Sequence, residues 1–211
     1  MPRMPAGRLA GFAILACLSG SLLSGCGPTA ASTQMVQATD TMNDAVTRMT
    51  ACTTEVANNP RYAPLARHIN LAAAGKPTLQ QQADPAKATP DEIAVLFVWH
   101  EDAAKCRPIM ITSATQVAPI AGQLMQEMYF KRDQLVLALV QQKITWGDAN
   151  REMATEANRY MGQVQGALMG RIQQLSAEHE AEMAQRAVIA VAIAQAASDV
   201  AIDAATRRRH R

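Results

Sequence analysis

Aromatic residues are scarce in this chain: two Trp, three Tyr and three Phe, 4% of 211 residues. β-Branched residues are also few, so a sheet has little to be built from, whereas the abundant Ala, Leu, Met, Gln, Glu and Arg favour helix. No charge of either sign dominates. Twenty Lys and Arg stand against 18 Asp and Glu, a formal charge of +2, so there is no basic footprint for a nucleic acid. Several motifs are absent as well. There is no Cys-x-x-Cys pair for dithiol chemistry and no Cys-x-x-Cys-His for haem. There is no His-x-x-x-His or Glu-x-x-His for a di-metal bundle, and no Gly-x-Ser-x-Gly elbow for a hydrolase. Neither catalysis nor a cofactor nor a metal is expected.

What is present begins at the amino terminus. Arg3 and Arg8 make a positive start, followed by an uncharged apolar run from Leu9 to Leu23. At about 15 residues it is too short to span roughly 30 Å of hydrocarbon, but it suits the central region of an export signal. It ends in Leu23-Ser24-Gly25-Cys26, which resembles the bacterial lipobox: a branched apolar residue, two small residues and the cysteine that accepts diacylglycerol. The resemblance implies removal of residues 1–25 and lipidation of Cys26. Gly27 follows where an aspartate would signal inner-membrane retention, so the expected location is the periplasmic face of the outer membrane. Two acyl chains anchor a protein stably without any spanning helix.

The remaining chain, Cys26 to Arg211, has balanced charge, with four positive charges concentrated in Arg207, Arg208, Arg209 and Arg211. Cys17 leaves with the signal and Cys26 carries lipid. Cys52 and Cys106 are left as an even pair in an oxidising compartment, and a disulfide between them is expected.

Residues 26–31 read as a tether, with Ser32 as the N-cap of a first helix. Met35, Thr39, Met42, Val46, Met49, Thr53 and Val56 then recur at helical spacing, until Asn58-Asn59-Pro60 stops the run. Arg61 to Leu71 reads as a short helix, and the Pro- and Gln-rich stretch from Gly75 to Pro90 as a surface loop. Thr89-Pro90-Asp91-Glu92 is a helix start with a capping box. The face it opens carries Ile93, Leu96, Phe97, His100, Ala103 and Ala104 and ends at Cys106-Arg107-Pro108. A helix over roughly Val117 to Gln142 follows, with Ile120, Leu124, Met128, Leu135, Ala138 and Leu139 inward. Thr145-Trp146-Gly147-Asp148 turns into a last helix, from Asp148 to about Ala205 and roughly 85 Å long if unbroken.

The lipobox, Cys106-Arg107-Pro108, and the Lys-Ile-Thr-Trp-Gly-Asp-Ala-Asn run from Lys143 to Asn150 together resemble a family of bacterial envelope lipoproteins with no assigned activity. The resemblance implies architecture and location only.

Gly162, Gly166 and Gly170 recur every four residues on the last helix, at a cost of about 1 kcal/mol each relative to Ala. Packing against the first helix is the preferred explanation, and a groove for a partner helix the alternative. Val188 to Ile202 is Ala-rich and apolar and precedes the arginines. It reads as the end of the bundle helix, or as a face that contacts a membrane or partner, with Arg207, Arg208, Arg209 and Arg211 on lipid phosphates. His100 falls on an apolar face and reads as a satisfied core residue; His68 and His179 complete no metal set. Met125, Met128, Met153, Met161 and Met169 read as core filling, Glu152 and Glu156 as solvated helix charges, and Trp99 and Trp146 as packing at helix ends.

The expected protein is all-α: an antiparallel bundle of about four helices over residues 32–187, closed by Cys52–Cys106, with a long C-terminal helix and an apolar extension from 188 to 211. Its expected role is that of a structural or adaptor lipoprotein, anchored in a membrane and partnered by an envelope protein or a second copy. The alternative is a carrier or sensor holding a small ligand or metal inside the bundle.

Overall fold

The computed structural model describes residues 27–71 and 76–209. The expected export signal, Cys17, Cys26 and Arg211 lie outside the described residues. Within them every regular element is helical and no strand occurs: α1 (Ala30–Ala57), a 3₁₀ turn (Pro60–Tyr62), α2 (Ala63–Ala66), α3 (Leu79–Gln82), α4 (Pro90–Ala104), α5 (Arg107–Val117), α6 (Pro119–Val140) and α7 (Trp146–Arg209). The all-α class and the long last helix are as the composition predicts. α7 is helical throughout its 64 residues. The chain divides into two compact units: a larger one, Val36–Gln173, and a smaller one made of the residues up to Met35 and from Gln174 onward.

In the larger unit the main core gathers Tyr62, Leu65, Leu96, Trp99, Val136, Leu139 and Trp146, with Val56, Ile93 and Met153 packed around them. A second cluster joins Ala114, Ala118, Ala121 and Met125 to Val164 of α7, and a third holds Met128, Tyr129 and Tyr160. Cys52 of α1 and Cys106, in the turn between α4 and α5, are joined with Cα atoms 5.8 Å apart across a sequence separation of 54. The expected disulfide is there, and it ties α1 to the α4–α5 corner.

Several local expectations need correction. Cys106-Arg107-Pro108 does not end the helical region: α5 begins there, with Pro108 in its first turn. A missing N–H costs nothing at that position because first-turn donors have no intrahelical acceptor. The helix expected from Val117 is broken at Ala118, which is extended (φ −148°, ψ 107°) as the residue before Pro119. α5 and α6 then approach so closely that a Cβ at Gly122 would overlap the Thr115 side chain. Within the Gly75–Pro90 stretch, α3 is a single turn opened by a Thr78/Gln81 capping box. On α1, Ala45 points inward and Val46 outward; Phe97 and Ile120 are likewise exposed, contrary to their assigned faces. The turns read from sequence at Thr89 and Thr145 are as expected. Thr89 and Glu92 form a reciprocal box. The Thr145 Oγ1 accepts from Asp148 N at 3.1 Å, while Asp148 Oδ2 accepts from Thr145 N at 3.1 Å.

In the smaller unit the segment assigned to a tether is docked. Thr29 is buried and is the cap, in place of Ser32: its Oγ1 accepts from Ser32 N at 3.0 Å. The same oxygen lies 2.7 Å from His179 Nδ1, and Arg186 donates to the carbonyl of Gly27 at 2.7 Å.

Candidate functional site

The larger unit holds two polar constellations. The first fastens the start of α7. The opening N–H groups of a helix lack partners of their own. Here Trp146 N donates to Ala86 O at 2.9 Å and Gly147 N to Asp84 O at 2.8 Å. Asn150, buried one turn on, donates to His68 O at 2.7 Å and Gln81 O at 2.9 Å. The His68 ring stacks on Trp146 with centroids 4.8 Å apart. Its Nδ1 lies 2.5 Å from Asp84 Oδ2 and its Nε2 3.0 Å from Glu92 Oε1. Arg67 caps this chain: its Nε is 2.7 Å from His68 Nε2, and its Nη2 donates to Glu92.

Burial alone would raise the Glu92 carboxyl, but the Thr89 N–H, Arg67 and His68 outweigh it and bring it down to about 2. The two carboxylates bind opposite nitrogens of one ring, so they do not converge on a common point. Among the described residues no group of three Asp, Glu, His or Cys side chains is placed to hold a metal ion. The bonds of this constellation run within the fold and fasten the start of α7.

The second constellation surrounds a cavity of about 60 Å³ lined by Met49, Val56, Trp99, His100, Arg107, Tyr129, Arg132 and Val136, among others. α4 supplies Trp99 and His100, and α6 supplies Tyr129, Arg132, Asp133 and Val136 at i, i+3, i+4 and i+7, one face of the helix. Asp133 lies behind the wall and is held from two sides. Arg107 grips it through both terminal nitrogens, at 2.9 and 2.7 Å, and His100 Nε2 is 2.7 Å from its Oδ1. Although burial acts to raise the Asp133 carboxyl, bonding to Arg107 and His100 brings it below its ordinary value. The Arg107 guanidinium also lies over the Tyr129 ring, 5.1 Å from its centroid. His100 is therefore half-buried at a cavity edge and is not the core residue its apolar neighbours implied.

Arg132 differs from Arg107. It makes no hydrogen bond or ion pair to any described residue. Burial lowers its guanidinium; Tyr129 acts the other way, and the smaller effects of Arg107 and Asp133 oppose each other. Trp99, only 8% exposed, has no hydrogen-bond partner at Nε1. A buried, unsatisfied donor of this kind costs about 1–3 kcal/mol. Trp99, Arg132 and Val136 also line a wider groove of about 650 Å³, which includes Lys76, Asn150 and Arg151. Neither lining contains an Asp or a Glu.

The other expected features are scattered. Gly162, Gly166 and Gly170 have no atom within 4 Å of where a Cβ would stand. Packing against the first helix is thereby overturned, and this face is open. Met125 and Met128 are core residues, while Met161 and Met169 are exposed; the methionines do not gather. Glu152 is exposed, and the half-buried Glu156 pairs with Arg159. Trp146 is buried in the first constellation. Arg207 is exposed and pairs with Asp203; Arg208 and Arg209 fall on the last helical residues. Arg132 was missed in sequence. The signal that could have found it is a charged residue four positions before Val136 and seven before Leu139, inside an apolar stripe.

The fold and this cavity define a disulfide-closed, all-helical protein with a long C-terminal helix. No protein-family model, curated protein or solved structure matches the chain.

Proposed function

We propose that this chain is a membrane-anchored envelope lipoprotein serving as a structural or adaptor module, and that it engages another envelope component through its last helix. The observation that carries this reading is the far end of α7. There Val188, Ile189, Val191, Ile193, Val200 and Ile202 are 40–70% exposed. An 18-residue window of this helix has a mean hydropathy of 1.6, and none of it is buried. This much exposed apolar side chain on one helix favours contact with a partner. The open side of Gly162, Gly166 and Gly170 supports close approach of a partner helix. The lipobox-like run supports anchoring, and Arg186 of the same helix donates to the Gly27 carbonyl.

A second reading, a carrier for a small ligand, is favoured by the cavity beside His100. Native mass spectrometry of the protein purified in detergent from its own cells tests both. Acylated Cys26–Arg211, less two hydrogens and accompanied by a second chain, is the expected result. An unprocessed, unacylated chain would overturn the anchoring. A reproducible small-molecule adduct without a protein partner would put the carrier reading first.

A further inference from the structure

Two cavities of the larger unit share a wall, and on that wall the Arg132 guanidinium has no ion pair with a described residue. Arg132 lies on the shared wall and Arg107 lines the smaller cavity, two positive charges near the single carboxylate of Asp133. Arg107 takes that carboxylate through both terminal nitrogens, with His100 on its Oδ1. Arg132 is left with no ion pair or hydrogen bond to a described residue. Beside it, the buried Trp99 Nε1–H has no acceptor. Arg132 and the Trp99 Nε1–H therefore line one space without a partner, the likewise unpartnered Trp146 Nε1–H lines the groove beyond, and no acidic side chain lines either. A guanidinium and an N–H donor are complementary to an oxyanion.

Size and polarity narrow the class. The narrower part, about 60 Å³, is room for a few waters and admits a carboxylate head. Met49, Val56, Val136 and Met153 give the lining an apolar side, beside the polar Thr53 and Asn70, and the space leads past Val136 and Leu139 into the open groove.

Resting on the carrier reading above, we infer that Arg132 and Trp99 bind the head of a small carboxylic acid whose short aliphatic chain lies along Val136 and Met153. Met49, Val56, Val136 and Met153 offer nothing to a purely inorganic anion, and the unpaired arginine repels an amine.

The test is titration of the full acylated chain in detergent with hexanoate, hexanol, hexylammonium and inorganic phosphate, read on the two indole N–H resonances. Trp99→Phe assigns them. Hexanoate is expected to move the Trp99 resonance and to saturate on the order of 1 mM, the range a ligand of this size reaches. Hexanol, hexylammonium and phosphate are each expected to bind at least about ten-fold more weakly. Arg132→Gln should weaken hexanoate about ten-fold or more, and Arg132→Lys should restore part of the loss. Equal binding of hexanol, equal binding of phosphate, or hexanoate binding indifferent to Arg132→Gln would each overturn the assignment. The hexanol and phosphate comparisons use the natural chain, so they decide the matter even if the variants fail to fold. If hexanoate is inert while a neutral molecule co-purifies in the mass spectrum, the head-group assignment falls and the carrier reading stands. If neither binds, both fall.

Discussion

One substitution, Gly→Ala, is expected to have opposite signs at different positions of α7. At Gly162, Gly166 and Gly170 a Cβ would meet nothing within 4 Å. Each change therefore removes backbone freedom from the unfolded chain without a steric charge and should stabilise by up to about 1 kcal/mol. At Gly147 a Cβ would stand 2.7 Å from both Asp84 O and Gln82 O and 2.9 Å from Asp84 N. All three are main-chain atoms, which cannot swing aside. Overpacking of this kind costs about 1–3 kcal/mol, and displacing Asp84 also strains the Gly147 N to Asp84 O bond, worth about 1 kcal/mol. The helix-propensity gain of up to about 1 kcal/mol offsets only part of this, leaving a net loss of about 2 kcal/mol.

For a chain of this length 1 kcal/mol corresponds to roughly 2–4 °C in Tm. Scanning calorimetry should thus show Gly147→Ala melting about 4–8 °C lower and the combined Gly162, Gly166 and Gly170 variant up to about 6–12 °C higher. A lower Tm for any of the three single variants at low protein concentration would refute the reasoning, because that face would then be packed within the chain. Loss of a co-purifying partner from the triple variant, with Tm raised, is the outcome the adaptor reading expects.

Three other outcomes are expected. Reducing Cys52–Cys106 opens a loop across a separation of 54 and should cost about 4 kcal/mol on chain-entropy grounds, read as a lower denaturation midpoint in dithiothreitol; an unchanged midpoint would show that the bridge does not constrain the unfolded chain. The Glu92 carboxyl is held at about 2 in the fold against an ordinary 4.5, so its contribution of about 3 kcal/mol is complete above pH 4.5 and is lost as pH falls toward 2. Glu92→Gln should therefore lower stability at pH 7 and flatten the acid limb between those values, and parallel acid limbs would exclude Glu92 as the cause. Asn150→Ala leaves the His68 and Gln81 carbonyls without their donor and should destabilise by about 2 kcal/mol by urea denaturation, while Trp146 fluorescence at pH 7 stays that of a buried ring.

Local signals were the legible part of the sequence. The boxes at Thr89 and Thr145, the stop at Asn59-Pro60, the helical composition and the pairing of the two remaining cysteines all depend on a few neighbours in the chain, and the structure has them. Pro108 was misread because proline opens a helix as readily as it closes one, and only the chain beyond it decides which. Val46 and Ile120 were placed inward with the apolar residues of their helices, yet the buried neighbours are the small Ala45 and Ala121, as close helix contact selects. The cavity was illegible for a different reason. Whether Arg132 finds a partner depends on Asp133 being claimed by Arg107, 26 residues away, and no spacing rule reports that competition. The open face at Gly162, Gly166 and Gly170 was misjudged because periodicity shows that residues share a side of a helix, not what lies opposite that side.

The two bonds from Asn150 also set an order of events for a chain that leaves its synthesis site amino terminus first. They reach back 82 residues to His68 and 69 to Gln81, so the core around Trp146 cannot close until the early part of α7 has arrived. Until then the His68 and Gln81 carbonyls are bonded to water, and Leu65 and Leu96 lack part of their cover. Non-local contacts of this kind form late because the loop entropy is lost before any contact energy returns. Asn150→Ala should accordingly speed unfolding with little change in the folding rate. The interval before residue 150 emerges is the one in which this protein is most open to aggregation and most in need of a chaperone.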